Sequence, residues 1–221
     1  MPNLILDFLF PRKCVGCFRF GSYLCSDCQR KIKHLSNQIC PECERNSIGG
    51  EIHFGCQRRY SLDGLTSAYE FASPIKEAIY QFKYKFVSDL KTTLVDLLLS
   101  AKKEDLKKDF VLVPIPLYFR KENFRGFNQV ALLGKDLAEK QGLEFRGDLL
   151  KKVKDTKPQV KLKEKERKEN IKGVFEVVGS VEGKNILLFD DVWTTGATIK
   201  EAGSVLKRKR AKLVWGLTLA R

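Results

Sequence analysis

The chain has 221 residues, 43% hydrophobic and 31% charged, with a formal net charge of +14. That is enough apolar material for a real core, and it excludes the disordered and collagen-like classes. The length suits one ordinary domain with a small appendage, or two small domains. No apolar run approaches the roughly 20 residues of a spanning helix, because Asp7 interrupts Leu4–Leu9 and Asp96 interrupts Leu94–Leu99. The start lacks a basic leader region and a small-residue cleavage site, so a cytoplasmic protein is expected. Residues 151–221 hold 18 basic and 9 acidic side chains. This excess favours polyanionic partners such as nucleic acid, phosphates or a membrane surface; the alternative is a solvated lysine-rich surface.

In chain order, Leu4, Ile5, Phe8 and Leu9 recur at helical spacing and predict a short helix packed on the rest of the protein. All seven cysteines follow within the first 56 residues: Cys14-x2-Cys17, Cys25-x2-Cys28, Cys40-x2-Cys43 and Cys56. Two residues between thiols form a tight turn that aims both sulfurs at one ion, and four thiolates close a tetrahedral structural zinc site. Without an export signal this spacing reads as metal rather than disulfides. Cys14, Cys17, Cys25 and Cys28 make one complete set. Cys40, Cys43 and Cys56 supply three ligands, and Arg59 stands where a fourth cysteine is expected. Either His53 completes a Cys3His site or the second site is vacant. Cross-braced pairing of the first and third knuckles also fits the spacing. Residues 1–60 are too few to fold on a core alone, so the metal would supply their stability. Phe18, Phe20, Tyr23, Phe54 and Tyr60 lie among basic residues there; they either pack around the metal or stack on single-stranded nucleic acid.

From Ser61 the pattern alternates. Leu65–Phe71 reads as a strand, and Ser73-Pro74 opens a helix with Ile75, Ile79, Phe82 and Phe86 on one face. Leu90, Leu94, Leu97, Leu98 and Ala101 line the next helix. Val111–Ile115 is a buried strand, and Val130, Leu133, Leu137 and Ala138 mark a helix ending near Gly142. Ile186–Phe189 is a second buried strand, Ala197–Leu206 a helix and Leu213–Leu219 a last strand. Continuous apolar strands separated by helices predict a parallel sheet with helices on both faces, an α/β domain over residues 61–221. Within it Lys151–Lys172 has ten basic and four acidic side chains. It reads as a surface loop or as a mobile basic flap over an anionic ligand.

The most informative stretch is Asn185–Thr198. An apolar strand ends in Asp190 and Asp191, then runs through Trp193, Thr194, Thr195 and Gly196 into a helix opening with Ala197 and Thr198. Amides of residues 194–198 would converge on an anion with the helix dipole behind them, outside the carboxyl end of a strand. Two carboxylates facing the same ligand would hold ribose hydroxyls or a divalent cation.

This string resembles the signature with which type I phosphoribosyltransferases bind phosphoribosyl pyrophosphate (PRPP). The resemblance extends over essentially the whole chain to the ComF family of competence proteins, which join a zinc-ribbon module to such a domain. The family's motifs appear in order: Phe82-Lys83-Tyr84, Val113–Pro116, Arg125–Gln129, then Gln159, Arg167, Asn170 and Phe175, the Asp190–Thr198 string, and Leu219–Arg221. The missing cysteine at position 59 is the one departure. The resemblance implies that Asp190 and Asp191 hold the ribose hydroxyls and that Thr194, Thr195, Gly196, Ala197 and Thr198 cradle the 5-phosphate. It makes Lys83, Arg120, Arg125, Gly126, Asn128 and Arg167 candidates for the pyrophosphate end. It implies structural Zn2+, and Mg2+ with PRPP, for transfer to an acceptor that no residue identifies. It also implies a role in natural transformation, with a DNA-uptake helicase and recombination-mediator proteins as partners. The alternative is a non-catalytic PRPP sensor that binds single-stranded DNA through the zinc module and the basic C-terminal region.

Overall fold

The computed structural model describes residues 11–84, 90–101, 109–156 and 171–221. The helix expected at Leu4–Leu9, and Phe86 on the helix after Pro74, lie outside them. In chain order the elements are α1 (Ser26–Arg30), β1 (Gln38–Ile39), β2 (Asn46–Ser47), β3 (Gly64–Tyr69), α2 (Ile75–Tyr84), α3 (Leu90–Ser100), β4 (Phe110–Pro114), α4 (Phe119–Arg125), α5 (Gln129–Gln141), β5 (Glu144–Phe145), β6 (Leu150–Lys152), β7 (Phe175–Val177), β8 (Asn185–Val192), α6 (Ala197–Arg208) and β9 (Leu213–Ala220). Among the described residues no helix is long and apolar enough to cross a membrane.

The main sheet has five parallel strands in the order β3-β9-β8-β4-β5. The apolar runs read from the sequence are its three inner strands, buried on both faces as a sheet covered by helices requires. On one face Leu112, Leu187, Phe189, Leu217 and Leu219 pack with the apolar stripes of α2, α3 and α5. On the other, Val111, Val113, Ile186, Leu188 and Val214 pack with α6 and the small β6–β7 ribbon. Helix α5 starts where expected: Asn128 Oδ1 accepts from the amides of Val130 and Ala131, and Gly142 closes the helix at φ 65°. This is the α/β architecture that the alternation predicts, preceded by the cysteine-rich module.

Three elements depart from the sequence reading. Strand β8 does not stop before the acids; it runs through Asp190 and Asp191 to Val192. A short helix, α4, follows Pro116 in a stretch to which the residue pattern assigns no element. The basic segment Lys151–Lys172 begins inside β6, which pairs antiparallel with β7. Residues 157–170 lie outside the description. Strands of three residues are too short for alternation to show, and the lysines of β6 hide a strand whose buried anchors are Leu150 and Phe175.

The module covers the outer edge of β3, which would otherwise present unpaired amides and carbonyls. Leu35 N–H donates to Ala68 O at 3.0 Å, and Glu70 N–H donates to Lys33 O at 2.9 Å. Just before them on β3 the Gln38 side chain serves Ser67 twice, donating to its carbonyl at 3.0 Å and accepting from its amide at 2.8 Å. Gly50, at φ 86°, approaches so closely that a Cβ would lie 1.9 Å from Leu65 O. Apolar contacts fasten the same edge from both sides. Cys14, Val15, Leu24, Cys28 and Ile32 join the core on the α2 face, and Ile39 joins the other.

Ser67 is 1% exposed while the half-buried Gln38 covers it, so truncating Gln38 leaves both backbone groups unpartnered or only partly rehydrated. Each buried orphan costs about 1–3 kcal/mol. Gln38→Ala is therefore expected to lower unfolding stability by about 2–4 kcal/mol without changing the fold, read from the midpoint of urea unfolding.

Candidate functional site

The cysteines form two separate groups, each with all four ligand atoms within 4.8 Å of one another: Cys14, Cys17, Cys25 and Cys28; and Cys40, Cys43, His53 and Cys56. Neighbouring knuckles share a site, so the pairing is sequential rather than cross-braced. In the first group Cys14–Cys25 and Cys17–Cys25 sulfurs are 3.6 Å apart. Thiolates 2.3 Å from a common tetrahedral zinc would be about 3.8 Å apart. In the second, His53 takes the place of the cysteine expected at position 59. Its Nδ1 is 3.3 Å from Cys43 Sγ, while its Nε2 lies 3.0 Å from Asn46 O. Donation from Nε2 to that carbonyl leaves the Nδ1 lone pair for an ion.

The thiols are poised to ionise unequally. The Arg19 side chain and amide pull Cys17 down to about 6. The amide and then the guanidinium of Arg45 pull Cys43 down to about 6. Burial, and then thiols competing within the same cluster, push Cys28 up to about 12 and Cys56 up to about 11. A dication relieves that competition, which is why metal binding and folding are coupled in such modules.

The second site lies at the carboxyl end of the sheet. Alternation along β8 sends Leu187 and Phe189 to the α2 face and Ile186 and Leu188 to the other. The two acids continue that alternation. Asp191 meets Lys83 at the end of α2, Oδ2 to Nζ 2.6 Å. Asp190 lies toward the β6 side, and its Oδ1 accepts from the Asp191 amide at 2.9 Å. Burial, then the charge of Asp191, push Asp190 up to about 7, against the opposing pull of Lys83 and Lys152. Burial alone would lower Lys83, but the charges of Asp191 and Asp190 outweigh it and hold the ammonium above its ordinary value.

Beyond β8 the chain turns through residues 193–196 into α6, whose first turn has no side-chain cap. Its amides are therefore available to an anion. Gly196 has φ 66°, and a Cβ there would lie 2.1 Å from the Trp193 ring. Trp193 is 2% exposed and forms the floor of the turn, with Lys200 Nζ 5.5 Å from its ring centroid. Thr195 Oγ1 is buried and has no hydrogen-bond partner. Thr194 is exposed, and Thr198 sits in the first turn of α6.

The remaining candidates divide. Lys83 is brought to the acids. Arg120 is exposed on α4, and Arg125 ends that helix before Gly126 at φ 79°. Asn128 is committed to the fold, since beyond capping α5 it donates to Ile115 O at 3.0 Å. Gln159, Arg167 and Asn170 lie outside the described residues. Lys152, close enough to Asp190 to lower its pKa, was not singled out in the sequence, because nothing distinguishes it within a run of ten basic side chains.

Comparison with known proteins adds to this geometry. Residues 5–57 match the double zinc ribbon domain, so the two ligand groups are read as structural zinc sites. The chain is 30% identical over 214 residues to competence protein F of Haemophilus influenzae, covering 89% of this chain and 90% of that one. It is 33% identical over 215 residues to competence protein ComFC of Bacillus subtilis, covering 90% and 84%. It is 29% identical over 198 residues to DNA utilization protein YhgH of Salmonella typhimurium, covering 86% and 87%. Among solved structures, the allosteric regulatory enzyme of purine biosynthesis aligns with 58% of this chain and 25% of its own. Its identity is 18% and its TM-score 0.40, a likeness too slight to bear on the fold.

Elemental analysis of the purified chain is expected to find two zinc ions, and one in His53→Ala. Two ions retained in that variant would remove His53 from the ligand set.

Proposed function

Because the chain belongs to the ComF family of competence proteins, we propose that it binds PRPP with magnesium at Asp190–Thr198, as a phosphoribosyltransferase-type protein acting in DNA uptake during natural transformation. The observation that carries this reading is Thr195. Its buried, unpartnered hydroxyl lies in the turn between two carboxylates and an uncapped helix start. An orphaned buried hydroxyl costs stability unless a ligand satisfies it, and a phosphate oxygen at the mouth of α6 would do so. The same reading places the protein in the cytoplasm.

Each residue has a role in that reading. The turn amides and the hydroxyls of Thr194, Thr195 and Thr198 hold the 5-phosphate, and Gly196 lets the backbone close over Trp193. Asp190 and Asp191 accept hydrogen bonds from ribose hydroxyls, with Asp191 shared with Lys83. Lys83 and Lys152 place positive charge on either side of the acids, and the family resemblance assigns Arg120, Arg125 and Arg167 to the pyrophosphate. The oxygen-rich acid pair suits a hard cation. Magnesium, when bound with PRPP, supplies further neutralisation of the departing pyrophosphate. The flap 151–172 would exclude water from C1 of the ribose. The cations in this reading stabilise a leaving group.

A second reading, a non-catalytic PRPP sensor that binds single-stranded DNA, is favoured by one specific observation. Phe18, Phe20 and Phe54 do not pack around the metal; they are 73%, 65% and 92% exposed. Lys13 Nζ lies 5.0 Å from the Phe20 ring. Exposed aromatics beside cations suit base stacking. A DNA-uptake helicase and recombination-mediator proteins are the partners that either reading implies.

Calorimetric titration with PRPP and Mg2+ is expected to show a saturable, magnesium-dependent site that the Asp190→Ala, Asp191→Ala double variant lacks. No heat with the wild type would overturn the proposal. Pyrophosphate release across a panel of acceptors separates an enzyme from a sensor. The binding role needs Asp190 ionised, and its value is raised to about 7. Affinity should therefore fall about tenfold from pH 8 to pH 6 as the carboxylate takes up its proton. Asp190→Asn should flatten that profile at the low plateau. For stability the sign is opposite: the folded state holds the proton more tightly, so the raised value favours folding at low pH, and that advantage is lost as pH rises toward 7. Asp190→Asn is expected to raise Tm above pH 8, where a Tm unchanged from wild type would show that the buried charge carries no penalty.

A further inference from the structure

A second basic concavity lies at the far end of α6. That helix has 12 residues, so its C-terminal end is about 18 Å from the Thr195 turn. There the segment leaving the second zinc group meets the end of α6 and the start of β9. That segment and Lys207 of α6 line an open cavity of about 160 Å³, with Gln57, Arg58, Arg59, Ser61 and Asp63 in its wall.

Its charge is unbalanced. Asp63 is the one acid in the lining, and it is already satisfied: Lys207 Nζ lies 2.6 Å from Oδ2, and the Val214 amide donates to the same oxygen at 2.6 Å. Among the described residues no acid answers the guanidiniums, and that of Arg58 donates only to the Gln57 carbonyl, at 3.1 Å. Arg59 and Arg208 sit over the same ring, their Cζ atoms 5.2 Å and 5.5 Å from the Tyr60 centroid. Among the described residues, no acid pairs with Arg58, Arg59 or Arg208. Cations gathered around a concavity repel one another until an anion enters, and guanidinium groups present donors that match phosphate oxygens. Ribbon spacing also places a cysteine at position 59. Because His53 completes the ligand group instead, position 59 is free to carry an arginine at this cavity.

We propose that the Arg58–Arg59–Lys207 cavity is a second anion site, taking the phosphoryl group either of a free phosphate compound or of a polynucleotide backbone. It is separate from the Asp190–Thr198 segment and does not depend on that segment binding PRPP.

The test uses the zinc-loaded full chain at low salt and follows the Tyr60 ring resonances by NMR. One arm titrates inorganic pyrophosphate and the other a short oligothymidylate. A saturable Tyr60 shift with pyrophosphate assigns the site to a free phosphate compound; a shift with the oligonucleotide alone assigns it to a polynucleotide. Either response should weaken at least tenfold in the exposed-residue double variant Arg58→Gln, Arg59→Gln, with PRPP binding, titrated separately, unchanged. No Tyr60 shift with either probe, or equal affinity in the double variant, overturns the proposal.

Discussion

Two adjacent carboxylates stand at the buried end of the central strand β8, and the arrangement around them follows from the difficulty of keeping both ionised. Burial and mutual repulsion push Asp190 up to about 7. The strand limits the conflict by sending the acids to opposite faces, where each meets its own cation: Asp191 with Lys83 of α2, and Asp190 with Lys152 of β6 nearby. The ribbon that supplies Lys152 and the helix that supplies Lys83 thus have electrostatic as well as packing reasons for their positions. The same strand end opens into an uncapped helix, so negative and positive ends of the site lie a few residues apart in the chain. Strongly shifted buried carboxylates of this kind cluster at functional sites.

The cysteine-rich module connects to that end through the sheet edge and through α2. Its contacts complete the hydrogen bonding of β3. A Cβ on Gly16, in the first zinc knuckle, would lie 2.8 Å from both Cys28 Sγ and Pro74 Cβ, so the knuckle presses on the residue before α2. From there α2 runs to Lys83. On the other side Glu44, beside the second zinc group, lies 3.8 Å from Lys200, whose ammonium lies 5.5 Å from the Trp193 ring centroid. Metal-supported elements therefore brace both flanks of the candidate site, which explains physically why the two modules are joined.

Much of this was legible in the residue order wherever a strong local rule applied. The inner strands β4, β8 and β9 are continuous apolar runs because both their faces are covered. The first four cysteines are a complete set at knuckle spacing. Asp190–Thr198 joins a strand, two acids and a turn glycine in a way few other segments could. The rest depends on tertiary placement. His53 could be chosen as a ligand only once the turns between Ser47 and Cys56 folded it against Cys43. The ribbon β6–β7 has three residues in each strand and no alternation to detect. Lys152 is distinguished from neighbouring lysines by position alone. The solvent exposure of Phe18, Phe20 and Phe54 removes the first of the two readings for these rings, packing around the metal, because the module's apolar contacts are made by Val15, Leu24, Ile32 and Ile39.

The account turns on whether the Thr195 hydroxyl is kept unsatisfied for a phosphate. Thr195→Val preserves the shape of the side chain and removes only that group. Calorimetric affinity for PRPP and thermal stability measured on the same variant give the most direct answer. The expected result is at least a tenfold loss of affinity together with a Tm equal to or above wild type, since a buried orphan has been removed. Unchanged affinity would contradict the account.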